Sequence, residues 1–388
     1  MAGQRLLHGK EDRLGAAPSA KVDIPFLVIL IILLCFGLTM LYSASSAQSQ
    51  YDTGYTVSTR YLQKQAACAL IGLAAMWVCS RLPAQFWLKA AWPLYVLSIA
   101  LLLAVLVFGQ SVNGARRWIN IAGIQFQPSE IAKFTLILMF AKLTKGFGSW
   151  AKQFRYGVLG FGAALLGILV PLALEKHLSA ILLMGMVAVV MMFIAGTKAR
   201  WLLAGAVAAV VFVVVYVSFM GYAGDRITAW LHPENDPADT GYQILQSLYA
   251  IGSGGLFGLG LGRSRQKYLY LPFQYNDYIF AVICEELGLM GATLVIGLFV
   301  ALILRGYYIA LHARDRFSTV FAAGLITLIA VQTVLNLGVV TNLLPSTGIA
   351  LPFFSYGGTA LAVNLAQMGV ILSISRDANR ASRQEELS

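Results

Sequence analysis

Residues 24–42 read IPFLVILIILLCFGLTMLY, an unbroken apolar run with Asp23 before it and Ser43 after it, and no charge inside. A helix rises about 1.5 Å per residue and a bilayer core is about 30 Å thick, so a run of this length spans a membrane. The following Ser43-Ala44-Ser45 has the small-residue look of a signal cleavage site. The apolar core is longer than the roughly 7–15 residues of a secretory h-region, so the run reads as a retained anchor.

The same reading, carried along the chain, gives further spans at Ala66–Val78, Ala91–Phe108, Ile131–Leu143, Val158–Leu174, Leu178–Ala195, Trp201–Met220, Tyr278–Leu304, Phe317–Val340 and Leu351–Ile374. The second and fourth need their polar flanks, Gln63–Gln65 and Pro128–Glu130, to complete a crossing. Composition agrees: 59% of residues are hydrophobic and 12% charged, with a mean hydropathy of +0.74. Soluble domains carry about 25% charged residues. The expectation is an all-α polytopic membrane protein of about ten transmembrane helices.

Basic residues orient it. With the amino terminus cytoplasmic, the inside segments hold 18 of the 28 Lys and Arg residues, and both termini lie inside. Residues 1–23 and 376–388 are then cytoplasmic tails around a membrane domain, 24–375. A large extracellular loop, 221–277, falls between the seventh and eighth helices. The net charge of +11 is mostly this inside bias and does not point to nucleic acid. Cys35, Cys68, Cys79 and Cys284 lie in or beside apolar runs and read as packing residues. His8, His177, His232 and His312 are scattered and suggest no metal site.

Three polar blocks interrupt this pattern, and ionisable groups in or beside spans are candidates for function. The first runs from Asn113 to Lys133. Pro128 suits a first helical turn and Glu130 is favourable near the helix amino terminus. Glu130 and Lys133 share a helix face, which is compatible with a local ion pair and a snorkelling lysine. It is equally compatible with an anionic-headgroup pocket supplied by Arg117 and Lys133. Arg116 and Arg117 fall outside, against the positive-inside trend.

The second block is the loop ending at Asp277, immediately before the eighth span. Gly241–Tyr249 has helical apolar spacing and reads as a helix along the outer surface. Gly252, Gly254, Gly255, Gly258, Gly260 and Gly262 follow, without the strand or the Gly-Lys-Ser/Thr that a nucleotide loop needs. They read as tight turns and close backbone approach. Arg263, Arg265 and Lys267 suit phosphate or a solvated basic run. Glu285 and Glu286 read as structural partners. The third block, Leu344–Gly358, has two prolines and three glycines; it reads as a kink or as broken backbone lining a cavity.

Taken together, Asn113–Lys133, Gly241–Gly288 and Gly338–Gly358 resemble the SEDS family (shape, elongation, division and sporulation), typified by RodA and FtsW. The run Gly258–Lys267 is more similar to the FtsW and sporulation branch. The resemblance covers nearly the whole chain after the amino-terminal tail. It implies a peptidoglycan glycosyltransferase of the bacterial cytoplasmic (inner) membrane. Such an enzyme polymerises lipid II at the outer face, releases undecaprenyl pyrophosphate and works with a class B penicillin-binding protein transpeptidase.

By motif, Asp277 falls on the family's catalytic aspartate. Arg117, Glu130 and Lys133 fall on motif polar residues, and Gln266, Lys267 and Ser355 complete the candidate substrate-binding set. Where the family commonly has Pro-Glu, His-Thr and Phe around the aspartate, this chain has Pro272-Phe273, Tyr275-Asn276 and Tyr278. No role passes to the residues ahead of Asp277. The implied division of labour is Asp277 as base for the acceptor 4-hydroxyl, with Arg117 and Lys133 on the pyrophosphate. A divalent cation, Mg or Mn, would assist at the phosphates through Asp277 or Glu130, but no ligand cluster is legible. Two other readings remain: a lipid II flippase, or a non-catalytic scaffold. The nearly uncharged inner halves of the spans speak against the first; Asp277 and Lys133 speak against the second.

Overall fold

The computed structural model describes residues 22–112, 115–121, 124–205, 207, 211, 229–235 and 241–387. In chain order its helices are α1 (Ile24–Asp52), α2 (Arg60–Arg81), α3 (Ala84–Phe108), α4 (Pro128–Phe147), α5 (Phe161–Leu174), α6 (Leu178–Ile194), α7 (Tyr242–Gly254), α8 (Ile279–Leu311), α9 (Arg316–Val340) and α10 (Gly358–Leu387). Among the described residues, seven helices are long and apolar enough to cross a membrane, one of them joining a π-helical turn at Arg155–Gly160 to α5. The apolar α6, with 17 residues, is shorter. α4 has 20 residues but carries Glu130, Lys133, Lys142 and Lys145. The polytopic all-helical expectation holds. Most of the seventh expected span, Trp201–Met220, and much of the loop start lie outside the described residues.

Three local expectations change. α1 runs through Ser43-Ala44-Ser45 to Asp52, and Ser43, Ser45 and Ser49 are buried, so that stretch is packed helix. The last helix begins at Gly358, not Leu351; Pro352 lacks an N–H, and residues 351–357 are held in turns by contacts described below. Residues 110–126 form a three-stranded antiparallel sheet: β1 (Gln110–Val112), β2 (Ala115–Ile121) and β3 (Ile124–Phe126). Alternation along β2 sends neighbouring side chains to opposite faces. Arg116 accordingly reaches the Leu106 carbonyl at 3.0 Å, while Arg117 donates to the Lys176 carbonyl.

Both ends of the membrane domain meet at one end of the bundle. Asp23 caps α1 through the Phe26 amide (2.9 Å), pairs with Arg305 of α8 (2.7 Å) and donates its own amide to Ser375 of α10 (3.1 Å). This is the geometry that two termini on one side of a membrane require. α9 is the most interior helix, with 78% of its apolar window buried.

The glycine-rich loop after α7 is ordered by a break in α8. Gly288 has φ +65°, and the turns of 255–260 insert there. Leu259 and Gly260 donate to the Glu285 and Glu286 carbonyls at 2.9 Å each, and Leu289 donates to the Gly255 carbonyl at 2.9 Å. A Cβ on Gly258 would lie 2.2 Å from the Glu286 oxygen, and one on Gly288 would lie 2.4 Å from the Gly258 nitrogen. Only glycine admits that approach.

Below the same loop, two carboxylates are fully enclosed. Glu286 accepts from Ser43 (2.6 Å), the Ser264 amide (3.2 Å) and Lys267 Nζ (3.2 Å). Glu285 accepts from the Arg265 amide (2.9 Å) and from the Ser264 hydroxyl. Lys267 Nζ also meets the Gly262 carbonyl at 2.6 Å. Removing one partner of a buried ion pair costs about 3–5 kcal/mol, because the other charge is stranded. Lys267→Ala should therefore lower the thermal midpoint of the detergent-purified protein sharply, and Lys267→Ala with Glu286→Gln should recover part of it. Equal stability of Lys267→Ala and the parent would contradict this assignment.

Candidate active site

α4, β2, the α5–α6 turn, the residues before α8 and the broken segment before α10 together enclose a cavity of about 350 Å³. Arg117, Glu130, Lys133, Asp277 and Ser355 all line it. Arg117, Glu130 and Lys133 come from the first polar block, Asp277 from the second and Ser355 from the third.

Pro128 occupies the first turn of α4, and Glu130 lies in that same turn, with its amide bonded to the Gln127 carbonyl at 3.1 Å. Lys133, one turn on, pairs with Glu130 at 2.7 Å, and both are nearly buried. The local ion pair of the sequence reading is present, and both its members line the cavity.

Asp277 is half-buried within the cavity, less exposed than a loop-end carboxylate. Its backbone is fixed from α9. The Asn336 carboxamide donates to the Asp277 carbonyl at 2.7 Å and to the Ile349 carbonyl at 2.8 Å. Ser355 donates to the Asn276 carbonyl (2.7 Å) and accepts from the Leu351 amide (2.8 Å). Tyr356 donates its amide to the Tyr275 carbonyl (2.8 Å), and Gln65 of α2 bonds the Ser355 carbonyl (3.1 Å) and the Gly357 amide (3.2 Å). Gly348, at φ +68°, lies against the carboxylate; a Cβ there would sit 3.4 Å from Asp277 Oδ2. The broken segment is thus stitched to the three residues that end in Asp277.

Gln266 and Lys267 do not join this cavity. Lys267 is spent on Glu286, and the Gln266 amide turns toward Glu285 at 3.4 Å. A buried carboxylate pair demanded donors, and this basic stretch supplied them. Among the described residues no group of three or more His, Cys, Asp and Glu side chains is gathered as a metal site. The cavity does offer hard oxygen donors in Asp277 and Glu130, which suits a cation held by one or two carboxylates together with substrate phosphates.

The sequence profile of the Cell cycle protein family of FtsW, RodA and SpoVE matches residues 24–380. The chain belongs to that family. It is 40% identical, over 92% of its length and 95% of the relative's, to a probable peptidoglycan glycosyltransferase FtsW of Geobacter sulfurreducens. It is 38% identical to stage V sporulation protein E of Bacillus subtilis, over 91% of this chain and 97% of that one. Among solved structures, a chain from a peptidoglycan synthase complex superposes with a TM-score of 0.78 at 29% identity, covering 92% of this chain and 98% of its own. RodA of Thermus thermophilus superposes at 0.68 with 27% identity, covering 94% and 98%. The family expectation drawn from the three blocks stands, and so does the likeness to FtsW and the sporulation protein. This FtsW/RodA/SpoVE family member is a multi-pass protein of the bacterial inner membrane.

His177, set aside in sequence as one of four scattered histidines, also lines the cavity of this family member. Burial, with the Arg117 and Lys133 charges adding to it, pushes its ring down to about 3, so it is neutral at pH 7. Burial pushes the neighbouring Glu175 carboxyl up to about 8, against the pull of Arg117. Between its ordinary 4.5 and 8, folded Glu175 keeps a proton that the unfolded chain has released. That group's contribution therefore falls as pH rises through the window. The stability gained by Glu175→Gln over the parent should widen from pH 5 to pH 8 in thermal melts. A difference that is flat with pH would show that Glu175 is ionised in the native protein.

Proposed function

We propose that this peptidoglycan glycosyltransferase polymerises lipid II, with Asp277 as the general base. The reading is carried by one observation: the Asp277 carboxylate shares a single cavity with the Arg117 and Lys133 cations. A pyrophosphate-activated sugar needs a base for its acceptor and positive charge for its leaving group. It does not need the second carboxylic acid that glycoside hydrolysis uses.

The acceptor 4-hydroxyl attacks the anomeric carbon of the donor, and its proton passes to Asp277. The bond from that carbon to the pyrophosphate oxygen breaks, and undecaprenyl pyrophosphate leaves with its charge met by Lys133 and Arg117. Attack opposite an α-linked leaving group inverts the centre and yields a β-1,4 glycan. A placed base contributes about 10²–10⁴-fold. Asn336 and Ser355 hold the Asp277 backbone, and tight positioning of this kind carries much of the barrier reduction in two-substrate reactions. A divalent cation at the phosphates would be held by the phosphates and by the Glu130 carboxylate beside Lys133, leaving Asp277 free as the base, and would supply further charge neutralisation there. The solved relative from a synthase complex supports a membrane partner, which we assign as a class B penicillin-binding protein transpeptidase.

Purified Asp277→Asn protein given lipid II and a divalent salt should form no glycan ladder on a gel while inserting and melting like the parent. A normal ladder would remove Asp277 from the chemistry. Lys133→Ala should lower polymerisation at least tenfold through substrate handling. Normal polymerisation by Lys133→Ala would remove the lysine from the substrate site.

A further inference from the structure

Uncharged polar side chains line the cavity as well as charged ones. Ser129 of α4, Gln332 of α9 and Asn364 of α10 line it and are 1%, 5% and 5% exposed. Each keeps a buried side-chain oxygen that no described group satisfies. Buried polar atoms in folded proteins are nearly always hydrogen-bonded, so three such residues around one cavity point to something that enters it. Gln332 lies one helical turn before Asn336, the residue that holds Asp277, so the neutral wall adjoins the carboxylate along the same face of α9.

The chemistry of the wall selects its ligand. A phosphate is anionic and accepts only; it finds its counterpart in Lys133 and Arg117. Carboxamides and a hydroxyl are uncharged and both donate and accept, as do sugar hydroxyls and an acetamide. We infer that Ser129, Gln332 and Asn364 form a subsite for an uncharged, N-acetylated sugar, placed beside the Asp277 base. The inference rests on reading the cavity as the site of a polyprenyl-pyrophosphate-linked sugar. It assigns specificity to residues that neither carry charge nor touch the pyrophosphate. A site built to hydrogen-bond a substrate group discriminates strongly against ligands that lack it, because its own polar atoms are then left unmet.

Two ligands separate this wall from the cationic one: undecaprenyl pyrophosphate alone, and the same lipid carrying its N-acetylated disaccharide. Binding to Asp277→Asn protein in nanodiscs, with or without added Gln332→Met or Asn364→Leu, reads the sugar contribution without turnover. Either added substitution should weaken the disaccharide-bearing lipid about three- to tenfold, the loss expected for a hydrogen bond to a buried group, and change the bare lipid less than twofold. Lys133→Ala should weaken both ligands. Equal weakening of both ligands by Gln332→Met and Asn364→Leu would make the wall structural, and no weakening of either would leave it a hydrated lining; each overturns the inference. Failure of the base assignment would appear separately, as polymer formation by Asp277→Asn protein.

Discussion

Backbone that leaves the helical state inside a membrane protein must find partners within the protein, since hydrocarbon offers none. Residues 341–357 live under that constraint, and the site is its consequence. Asn336, Ser355, Gln65 and the Tyr275 carbonyl supply the partners, and three of those four contacts land on residues 275–277 or bridge to them. Phe354 plugs the segment into the core between α1 and α8, with ring centroids 5.9 Å from Phe36 and 5.7 Å from Phe299. The break that would destabilise an isolated helix is thereby turned into a wall, and Asp277 is fixed against it.

Two charged clusters near the same loop show why charge alone does not identify a site. Around Glu285 and Glu286, hydroxyls, backbone amides and Lys267 converge until both carboxylates are fully surrounded. Around Asp277, Glu130 and Lys133 the same residue types border open volume. The first arrangement locks the glycine-rich loop to the broken α8. The second leaves room for a ligand.

The apolar runs made the helices readable, because nothing but a bilayer explains uncharged stretches such as 24–42. Asp277, Arg117, Glu130, Lys133 and Ser355, which line one cavity, stand out in the sequence because charge or broken backbone at a span's edge is conspicuous. Lys267 and Gln266 lie away from that cavity, and sequence shows their basic stretch but not the buried carboxylates facing it. The strands at 110–126 were missed because β1 and β3 have three residues each and the block reads as a polar loop. Gln332, Asn336 and Asn364 were overlooked because uncharged amides inside apolar helices barely perturb a hydropathy profile. The four-residue spacing of Gln332 and Asn336 on α9 was the available signal. His177 gave none, since only the fold brings the α5–α6 turn beside α4.

The account stands on the carboxylate and the cations serving opposite ends of one reacting pair. Its most direct test is an experimental structure of the Asp277→Asn protein with undecaprenyl pyrophosphate bound. The pyrophosphate should lie within hydrogen-bonding distance of Lys133 and Arg117, with position 277 across open cavity from it. A pyrophosphate seated instead over residues 258–267, with the α4 cations unoccupied, would contradict the account.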